Sequence, residues 1–365
     1  MKKTISVSVS QLFIMLFLSR IIAYVTFSTY IADVSQMWGN MASLPLSLII
    51  TLLMTVPVYM LYKQDKKRTI TDNGYEVLGR LGFVVAVVYG LYFLWVLVYT
   101  LTLFNLFVTN LLNPTISAFV LSLAVVIAAV YGAYKGIEAI SRASTIVLVI
   151  VLVAVIFMVC TLLPRVDSLN YTPVFLRSGG DIWQSTLFMI GRNSAIPAMG
   201  MLLPFVNGRV KKGICLWAFF SYLCIGLLIL LIVGVLGDYI STQVFPMYTV
   251  TSIAGVGVLE RLDGVFLGVW TAGMFIKISL FIYLLSMCVK RIFGDLASRV
   301  SILLCGALVL GVSTLTSVQD SWLGILFNSN VTVWLTLITG VLLPLLLLCI
   351  RLIKKKVGAR HEKDI

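Results

Sequence analysis

Long apolar runs separated by short polar connections fill almost the whole chain. A transmembrane helix needs about 20 predominantly apolar residues, and ten runs come close to or exceed that length. They cover residues 11–32, 43–62, 81–112, 117–134, 143–163, 182–206, 213–237, 265–289, 300–315 and 331–353. The pattern therefore predicts an all-α polytopic membrane protein whose 365 residues form a single transmembrane domain.

Ten transmembrane helices divide into two sets of five, and the second set then enters the membrane from the opposite face. This arrangement predicts a 5+5 inverted repeat, with repeats at about 10–164 and 181–353 and a cytoplasmic tail at 354–365. Arg20 and Arg192 each follow a Leu-Phe pair in the first helix of their repeat. Interrupted helices in corresponding positions point to a transporter binding site, so we expect the first and sixth helices to be interrupted.

Composition supports membrane insertion, because the chain is 60% hydrophobic and only 11% charged, whereas soluble domains have roughly 25% charged residues. The net charge of +13 comes from lysines and arginines in the connections and tails. Most fall on one side of the predicted membrane, and the other side holds only Arg165, Arg177 and Arg261. The positive-inside rule then predicts that both termini are cytoplasmic, and no basic groove for nucleic acid is indicated.

The sixth run contains Gly191, Arg192, Asn193, Ser194 and Pro197 within seven residues. Proline and glycine weaken a helix, and an arginine at mid-membrane costs about 2.5–3.5 kcal/mol on the insertion scale. A discontinuous helix that lines a polar cavity explains this segment. A proline-kinked helix with a snorkelling arginine is the alternative. The candidate ligand-binding residues are Arg20, Ile21, Ile22, Ala23, Gly191, Arg192, Asn193 and Ser194.

Three cations, Arg20, Arg192 and Lys277, lie deep in apolar runs, while every acid lies in a connection or at the edge of a run. Buried charges need a partner, water or neutralisation. Unwound backbone carbonyls could accept from the arginines, or the carboxylate of a ligand could be the counter-ion. Lys277 could also exchange a proton or act as a fixed cation between helices, with Ser279 beside it as part of an ion or proton site.

Other side chains add little chemistry. Tyr92 and Tyr99 could face a cavity, although such residues more often make helix contacts or lie at the membrane interface. The chain has no histidine at depth, no paired acids and no GxSxG motif. The sequence therefore predicts no enzyme activity, no catalytic residue, no protein-bound metal and no cofactor.

Several motifs carry a resemblance to a known family. They are QLF at 11–13, YGAYKGIEAISR at 131–142, LERLD at 259–263 and FIKIS at 275–279. With the length and the ten runs, they resemble the B subunits of bacterial spore germinant receptors. These subunits form the endospore germination permease family of the amino acid–polyamine–organocation superfamily.

The resemblance implies a LeuT-like 5+5 fold in the spore inner membrane. It also implies a small, amino-acid-like germinant bound between residues 19–23 and 190–194. The partners would be a germinant-receptor A subunit and a lipoprotein C subunit. Two other functions stay open: a proton-coupled amino acid secondary transporter that uses Lys277, and a scaffold subunit with no ligand of its own.

Overall fold

The protein is described by a computed structural model over residues 7–26, 34–112, 117–172, 179–254, 263–294 and 297–361. The α-helices are α1 (Val9–Thr26), α2 (Val34–Gln64), α3 (Ile70–Leu78), α4 (Phe83–Phe107), α5 (Ala118–Lys135), α6 (Ile137–Leu162), α7 (Gly179–Gly191), α8 (Ala195–Leu202), α9 (Val210–Leu236), α10 (Pro246–Ile253), α11 (Asp263–Phe293), α12 (Ala297–Val318), α13 (Asp320–Phe327), α14 (Ser329–Leu337) and α15 (Leu343–His361). Strands β1 (Val7–Ser8) and β2 (Val206–Asn207) form a short parallel pair.

Shorter helical turns connect or extend these elements. Five 3₁₀ turns cover Gly79–Gly82, Leu163–Arg165, Ser168–Tyr171, Leu203–Phe205 and Gly237–Thr242. Two π-helical turns, Val108–Leu112 and Ile338–Leu342, follow α4 and α14. The last residues of the first predicted run, 27–32, lie outside the described ranges.

Within the described residues, seven helices are long and apolar enough to cross a bilayer, and the bent pair Val300–Thr316 and Ser321–Phe327 would make an eighth. The fourth predicted run corresponds to α5, whose apolar part, Phe119–Lys135, is shorter than the seven helices that can cross the bilayer. The sixth corresponds to α7 and α8, with 13 and 8 residues. The chain is thus an integral, multi-pass membrane protein, and the count of ten crossings stays a prediction.

The helices differ strongly in how much of their surface is buried. In the most apolar window of α11, 72% of the residues are buried, whereas the corresponding figure for α6 is 11%. Large aliphatic side chains of α6, including Val149, Val153 and Ile156, are exposed, as expected where lipid is the solvent. α11 therefore lies at the centre of the bundle and packs against α1, α4, α5, α6 and α12.

The start of α1 is fixed by its own sequence and by a distant segment. Gln11 N donates to Ser8 Oγ at 3.2 Å and Ser8 N donates to Gln11 Oε1 at 3.3 Å, which is a capping box. β1 then pairs with β2, so that Val7 lies beside Val206 just after α8. The first helices of the two predicted repeats are thereby joined at one end of the bundle.

The connection between the second and third predicted runs is more ordered than its charge suggested. The charged stretch 63–80 predicts a solvated cytoplasmic connection, but residues 70–78 form α3, which buries Ile70, Asn73 and Val77. Thr69 caps α3 through Asp72 N. This helix packs against α4, α8 and α15, so the expectation of a simple solvated connection was wrong.

Candidate functional site

The interruption predicted in the sixth run is present in the structure. α7 ends at Gly191 and α8 begins at Ala195, which leaves Arg192, Asn193 and Ser194 between the two helices. Pro197 lies in the first turn of α8, where its missing N–H is tolerated. If α7 continued, the Pro197 ring would clash with the Asn193 carbonyl. The local sequence therefore accounts for the position of the break.

The carbonyl groups exposed at the end of α7 all accept hydrogen bonds. Two donors are backbone N–H groups of the break, and two are hydroxyls of α1 and α14. The pairs are Arg192 N to Phe188 O at 3.2 Å, Tyr24 OH to Met189 O at 2.9 Å, Asn193 N to Ile190 O at 3.1 Å and Thr336 Oγ1 to Gly191 O at 2.6 Å. The break is thus stabilised by the protein itself, as non-helical backbone at membrane depth requires.

Gly191 permits a close approach between α7 and α14. A Cβ atom at this position would lie about 3 Å from the Val333 backbone, at 3.0 Å from its Cα and 3.1 Å from its nitrogen. The contact brings Thr336 within reach of the Gly191 carbonyl. The Thr336 hydroxyl also lies 3.2 Å from the Tyr92 hydroxyl, which links α4, α14 and the end of α7.

Arg192 and Lys277 face one cavity beside the break. Its volume is about 30 Å³, which holds about one water molecule. Helix α4 contributes one aromatic face, and residues of α1, the end of α7, the break and α14 complete the lining. These residues are Tyr92, Trp95, Val96, Tyr99, Ala23, Gly191, Ser194 and Thr332. None of the described lining residues is Asp or Glu, so the two cations meet there without a carboxylate.

Aromatic rings contact the Arg192 guanidinium. Its central carbon lies 3.6 Å from the Phe188 ring centre and 5.7 Å from that of Tyr99. Arg192 is 8% exposed, and its Nη1 atom has no hydrogen-bond partner among the described residues. The guanidinium is therefore held by cation–π contacts and keeps a donor that a ligand could use.

Arg20 lies in a second polar cluster, between α1 and α9. Its guanidinium carbon is 4.2 Å from the Tyr222 ring centre and 5.3 Å from that of Trp217. All three guanidinium nitrogens are buried, and the Tyr24 hydroxyl interacts with the guanidinium. The Tyr222 hydroxyl is 2.7 Å from Thr51 Oγ1, which accepts from Asn193 Nδ2 at 3.4 Å. This cluster thus connects Arg20 to the break, and Arg20 itself does not line the cavity.

The interruption expected at residues 19–23 is absent, because α1 is continuous from Val9 to Thr26. The stretch Ser19–Ala23 contains neither glycine nor proline, so nothing in it disfavours the helix. Aromatic rings of α9 solvate Arg20, and its charge does not require an open backbone. Only the second of the two predicted interruptions is therefore found where the sequence placed it.

The other candidate residues from the sequence lie in different parts of the structure. Ile21 and Ile22 line an apolar pocket with α6 and α11. Ser279 Oγ faces Gly132 of α5. It therefore points away from the side chain of Lys277, because residues two apart on a helix point about 200° from each other. Of the sequence candidates, the cavity gathers Ala23, Gly191, Arg192, Ser194 and Lys277.

Sequence reasoning missed Trp95, Val96, Thr332 and Thr336. The i, i+3, i+4, i+7 spacing of one helix face connects Tyr92, Trp95, Val96 and Tyr99. Because the sequence already suggested that Tyr92 and Tyr99 face a cavity, this spacing could have predicted the other two lining residues. Thr336 gave no local signal, because its partners Gly191 and Tyr92 are 145 and 244 residues away in the chain.

A much larger cavity opens at the end of the bundle that holds α3. Its volume is about 840 Å³, and its lining includes Asp72, Tyr134, Tyr283 and Ser286. Tyr283 is about 9 Å from Lys277 along α11, at 1.5 Å per residue. A wide vestibule with mixed polar and apolar walls thus lies at one end of the bundle, and α11 connects it to Lys277.

Two solved structures that are similar to this chain are transporters. A substrate-bound, outward-open Na⁺-coupled sialic acid symporter matches with a TM-score of 0.67 and 13% identity, over 92% of this chain and 79% of that one. A mutant manganese transporter from Eremococcus coleocola matches with a TM-score of 0.49 and 12% identity, over 92% and 77%. At this identity the symporter shows the fold alone, and it confirms the LeuT-like fold class expected from the sequence. Among curated protein sequences, none matches this chain.

The fold and the broken helix define a permease-like, multi-pass membrane protein. The chain belongs to the spore germination protein family, whose sequence profile matches residues 6–321. This match covers most of the chain and confirms the family resemblance seen in the motifs.

Proposed function

We propose that this protein is a germinant-receptor subunit of the spore inner membrane. It binds a small, amino-acid-like germinant beside the α7–α8 break and signals to an A subunit and a lipoprotein C subunit. Family membership supports the spore context, and the transporter-like fold supports a binding site at mid-membrane depth. Both termini lie on the cytoplasmic side in this proposal.

The observation that carries the proposal is the pair of cations at the cavity. Arg192 and Lys277 face the same small space, and none of the described residues that line it is an acid. Two buried positive charges repel each other, so a negatively charged partner would stabilise both groups in their charged forms. The carboxylate of an amino acid would supply that charge, and Arg192 retains an unpaired Nη1 donor for it.

The small size of the cavity links germinant binding to a conformational change. A space of about 30 Å³ is too small for an amino acid, because it holds about one water molecule. The germinant must therefore bind a wider conformation and raise its population. Since Tyr92, Thr336 and the end of α7 share hydrogen bonds, widening the cavity displaces three helices together, and partner subunits could detect this movement.

Binding to the purified full-length chain tests the proposal. A panel of radiolabelled amino acids is offered first, followed by the methyl esters and decarboxylated amines of those that bind. We expect Arg192→Gln to weaken binding about 10–100-fold, because a hydrogen bond to a charged group contributes about 1.5–3 kcal/mol. Lys211→Gln removes an exposed cation at the start of α9 and should leave binding unchanged.

The ester compounds decide whether the carboxylate matters. Esters and amines that bind as tightly as the amino acids would contradict the proposed role of the two cations. If no compound binds and Arg192→Gln spores germinate normally, the scaffold interpretation is favoured instead.

A proton-coupled amino acid transporter is the second candidate function. The vestibule of about 840 Å³, whose lining residue Tyr283 is about 9 Å from Lys277 along α11, favours it, because a transporter needs a path between the site and one membrane face. Liposomes that contain the purified chain distinguish the two functions. Sustained amino acid uptake that requires a proton gradient and is lost in Lys277→Met supports transport, whereas binding without uptake supports a receptor.

A further inference from the structure

A groove on the outer face of the bundle has the shape and charge of a phospholipid site. Helix α1 packs against both α6 and α9, while α6 and α9 contact each other only sparsely. The wedge between them is a groove of about 740 Å³ with α1 as its floor. We propose that this groove binds one anionic phospholipid. Its acyl chain would lie along α1, and its phosphate would contact Arg209 and Lys212.

The floor and walls of the groove are apolar and open to the lipid. Val9, Phe13 and Phe17 form one stripe of α1, and Leu152 and Leu216 line the sides. Leu152 and Leu216 are 49% and 45% exposed. Acyl carbons can pack against such a surface through van der Waals contacts, as apolar side chains do within the membrane.

The length of the groove matches one leaflet. From Val9 to Phe17 the floor extends about 12 Å, at 1.5 Å per residue, which is close to half of the roughly 30 Å hydrocarbon core. Beyond Phe17 only a narrower pocket of about 120 Å³ continues. These dimensions match an acyl chain that lies within one leaflet.

Positive charge is concentrated at one end of the groove. Arg209 and Lys212 line this end beside Ser10 and Asn207. Both cations are exposed, and neither makes an ion pair within the described part of the chain. No acid is among the described residues that line the groove. Basic residues in this position attract anionic headgroups.

The groove shares a wall with the buried arginine cluster. Trp217 lines the groove and is also 5.3 Å from the Arg20 guanidinium carbon. A lipid in the groove would pack against the ring that helps to hold Arg20. Lipid binding and the polar cluster at the break are therefore in physical contact through one side chain.

Photo-crosslinking in lipid nanodiscs tests the site. The purified full-length chain is reconstituted with phosphatidylglycerol or phosphatidylcholine that carries a diazirine in the acyl chain, and labelled peptides are identified by mass spectrometry. We expect phosphatidylglycerol to label residues 9–17 and 207–220 preferentially. Lys212→Gln should lower the preference for phosphatidylglycerol about fivefold, and the double variant with Arg209→Gln about 25-fold, at about 1 kcal/mol per basic residue.

Matched variants separate a built site from general lipid contact. Lys211→Gln removes the adjacent lysine, which does not line the groove, and should leave labelling unchanged. Leu216→Trp fills the groove and should reduce labelling by both probes while the remaining headgroup preference persists. Arg209 makes no side-chain capping bond at α9, so its substitution should not disturb the helix start.

Three outcomes would overturn the proposal. Equal labelling of these segments by both lipids would show that the basic end is not recognised. An equal effect of Lys211→Gln and Lys212→Gln would show only general surface charge. Loss of the groove label when partner subunits are added would assign this face to a protein contact.

Discussion

The two buried arginines are held mainly by aromatic rings. Arg20 lies over Tyr222, and Arg192 lies over Phe188. A desolvated cation–π contact contributes about 2 kcal/mol, which offsets much of the 2.5–3.5 kcal/mol insertion cost of an arginine. The sequence suggested carbonyls, a ligand or proton exchange as solutions, and it did not suggest rings. Carbonyls do not fill that role at α7, where other donors already occupy them.

Thr336 gives the sharpest prediction at the scale of a residue. Its hydroxyl donates to Gly191 O and lies within hydrogen-bonding distance of the Tyr92 hydroxyl. Thr336→Val keeps the shape and leaves both groups without this partner. We expect the free energy of unfolding to fall by about 1–3 kcal/mol, measured as a lower Tm of the purified protein.

Thr145→Val on α6 is the matched control for this measurement. The Thr145 hydroxyl donates to Ser141 O of its own helix at 3.1 Å, and such local bonds add little stability. If Thr145→Val lowers the Tm as much as Thr336→Val does, the hydrogen bonds between helices stabilise the protein no more than a local bond within one helix.

The break between α7 and α8 and the unbroken α1 have the same explanation at the scale of an element. Proline and glycine bracket the break, whereas Ser19–Ala23 has neither. The paired arginines suggested matching interruptions, but a charge by itself does not open a helix when rings of a neighbouring helix receive it. Backbone chemistry, and not side-chain charge, determined where the helix ends.

α3 shows how a short amphipathic helix was overlooked among charged residues. Its start carries the spacing of a capping box, Thr69 followed three residues later by Asp72, which signals a helix N-terminus. Arg351 donates to Asn73 at 2.9 Å, and Arg291 pairs with Asp72 at 3.2 Å. α3 therefore ties the ends of α11 and α15 together, a role that the sequence pattern did not show.

The capping bond of α3 should contribute more to the free energy of unfolding than the ion pairs on its surface. Thr69→Ala removes the acceptor of Asp72 N, and we expect a loss of about 1 kcal/mol. Glu76→Gln removes a partly exposed contact with Arg68 and Arg351, which should change stability by less than about 1 kcal/mol. Thermal unfolding of each variant compares the two losses.

Ser117 provides the control for the capping experiment. It precedes α5 without a side-chain capping bond, so Ser117→Ala should leave the Tm nearly unchanged. A loss equal to that of Thr69→Ala would mean that the capping bond at α3 is not responsible.

At the scale of the whole molecule, burial distinguishes the centre of the helix bundle from its lipid-facing surface, and charge distinguishes its two ends. α11 is buried at the centre, and α6 faces the lipid. The end with α3 carries the wide vestibule and most of the described cations. Arg177 and Arg261, which the sequence assigns to the opposite side, lie outside the described residues.

The membrane orientation can be tested with two introduced cysteines. Lys66 lies between α2 and α3, and Leu169 lies after α6 and is 72% exposed. We expect an impermeant maleimide to label Leu169→Cys in intact cells and Lys66→Cys only after permeabilisation. Unmodified protein gives the background from native cysteines. Labelling of both positions from the outside would contradict the predicted cytoplasmic termini.

The sequence determined where the helices lie along the chain and where one of them breaks. Transfer of apolar residues into lipid acts on each segment separately, so hydrophobic length located helices such as α9 and α11 to within a few residues. Glycine and proline act on the adjacent backbone, so the end of α7 was visible as well. Family motifs added the fold class.

Tertiary structure decided which side chains meet. Thr336 reaches Gly191 across 145 residues, and the Thr51–Tyr222 contact spans 171. No local pattern encodes such pairs, because they depend on how whole helices pack. For the same reason only the folded chain showed that Arg192 and Lys277 share one small cavity while Arg20 and Ser279 face elsewhere.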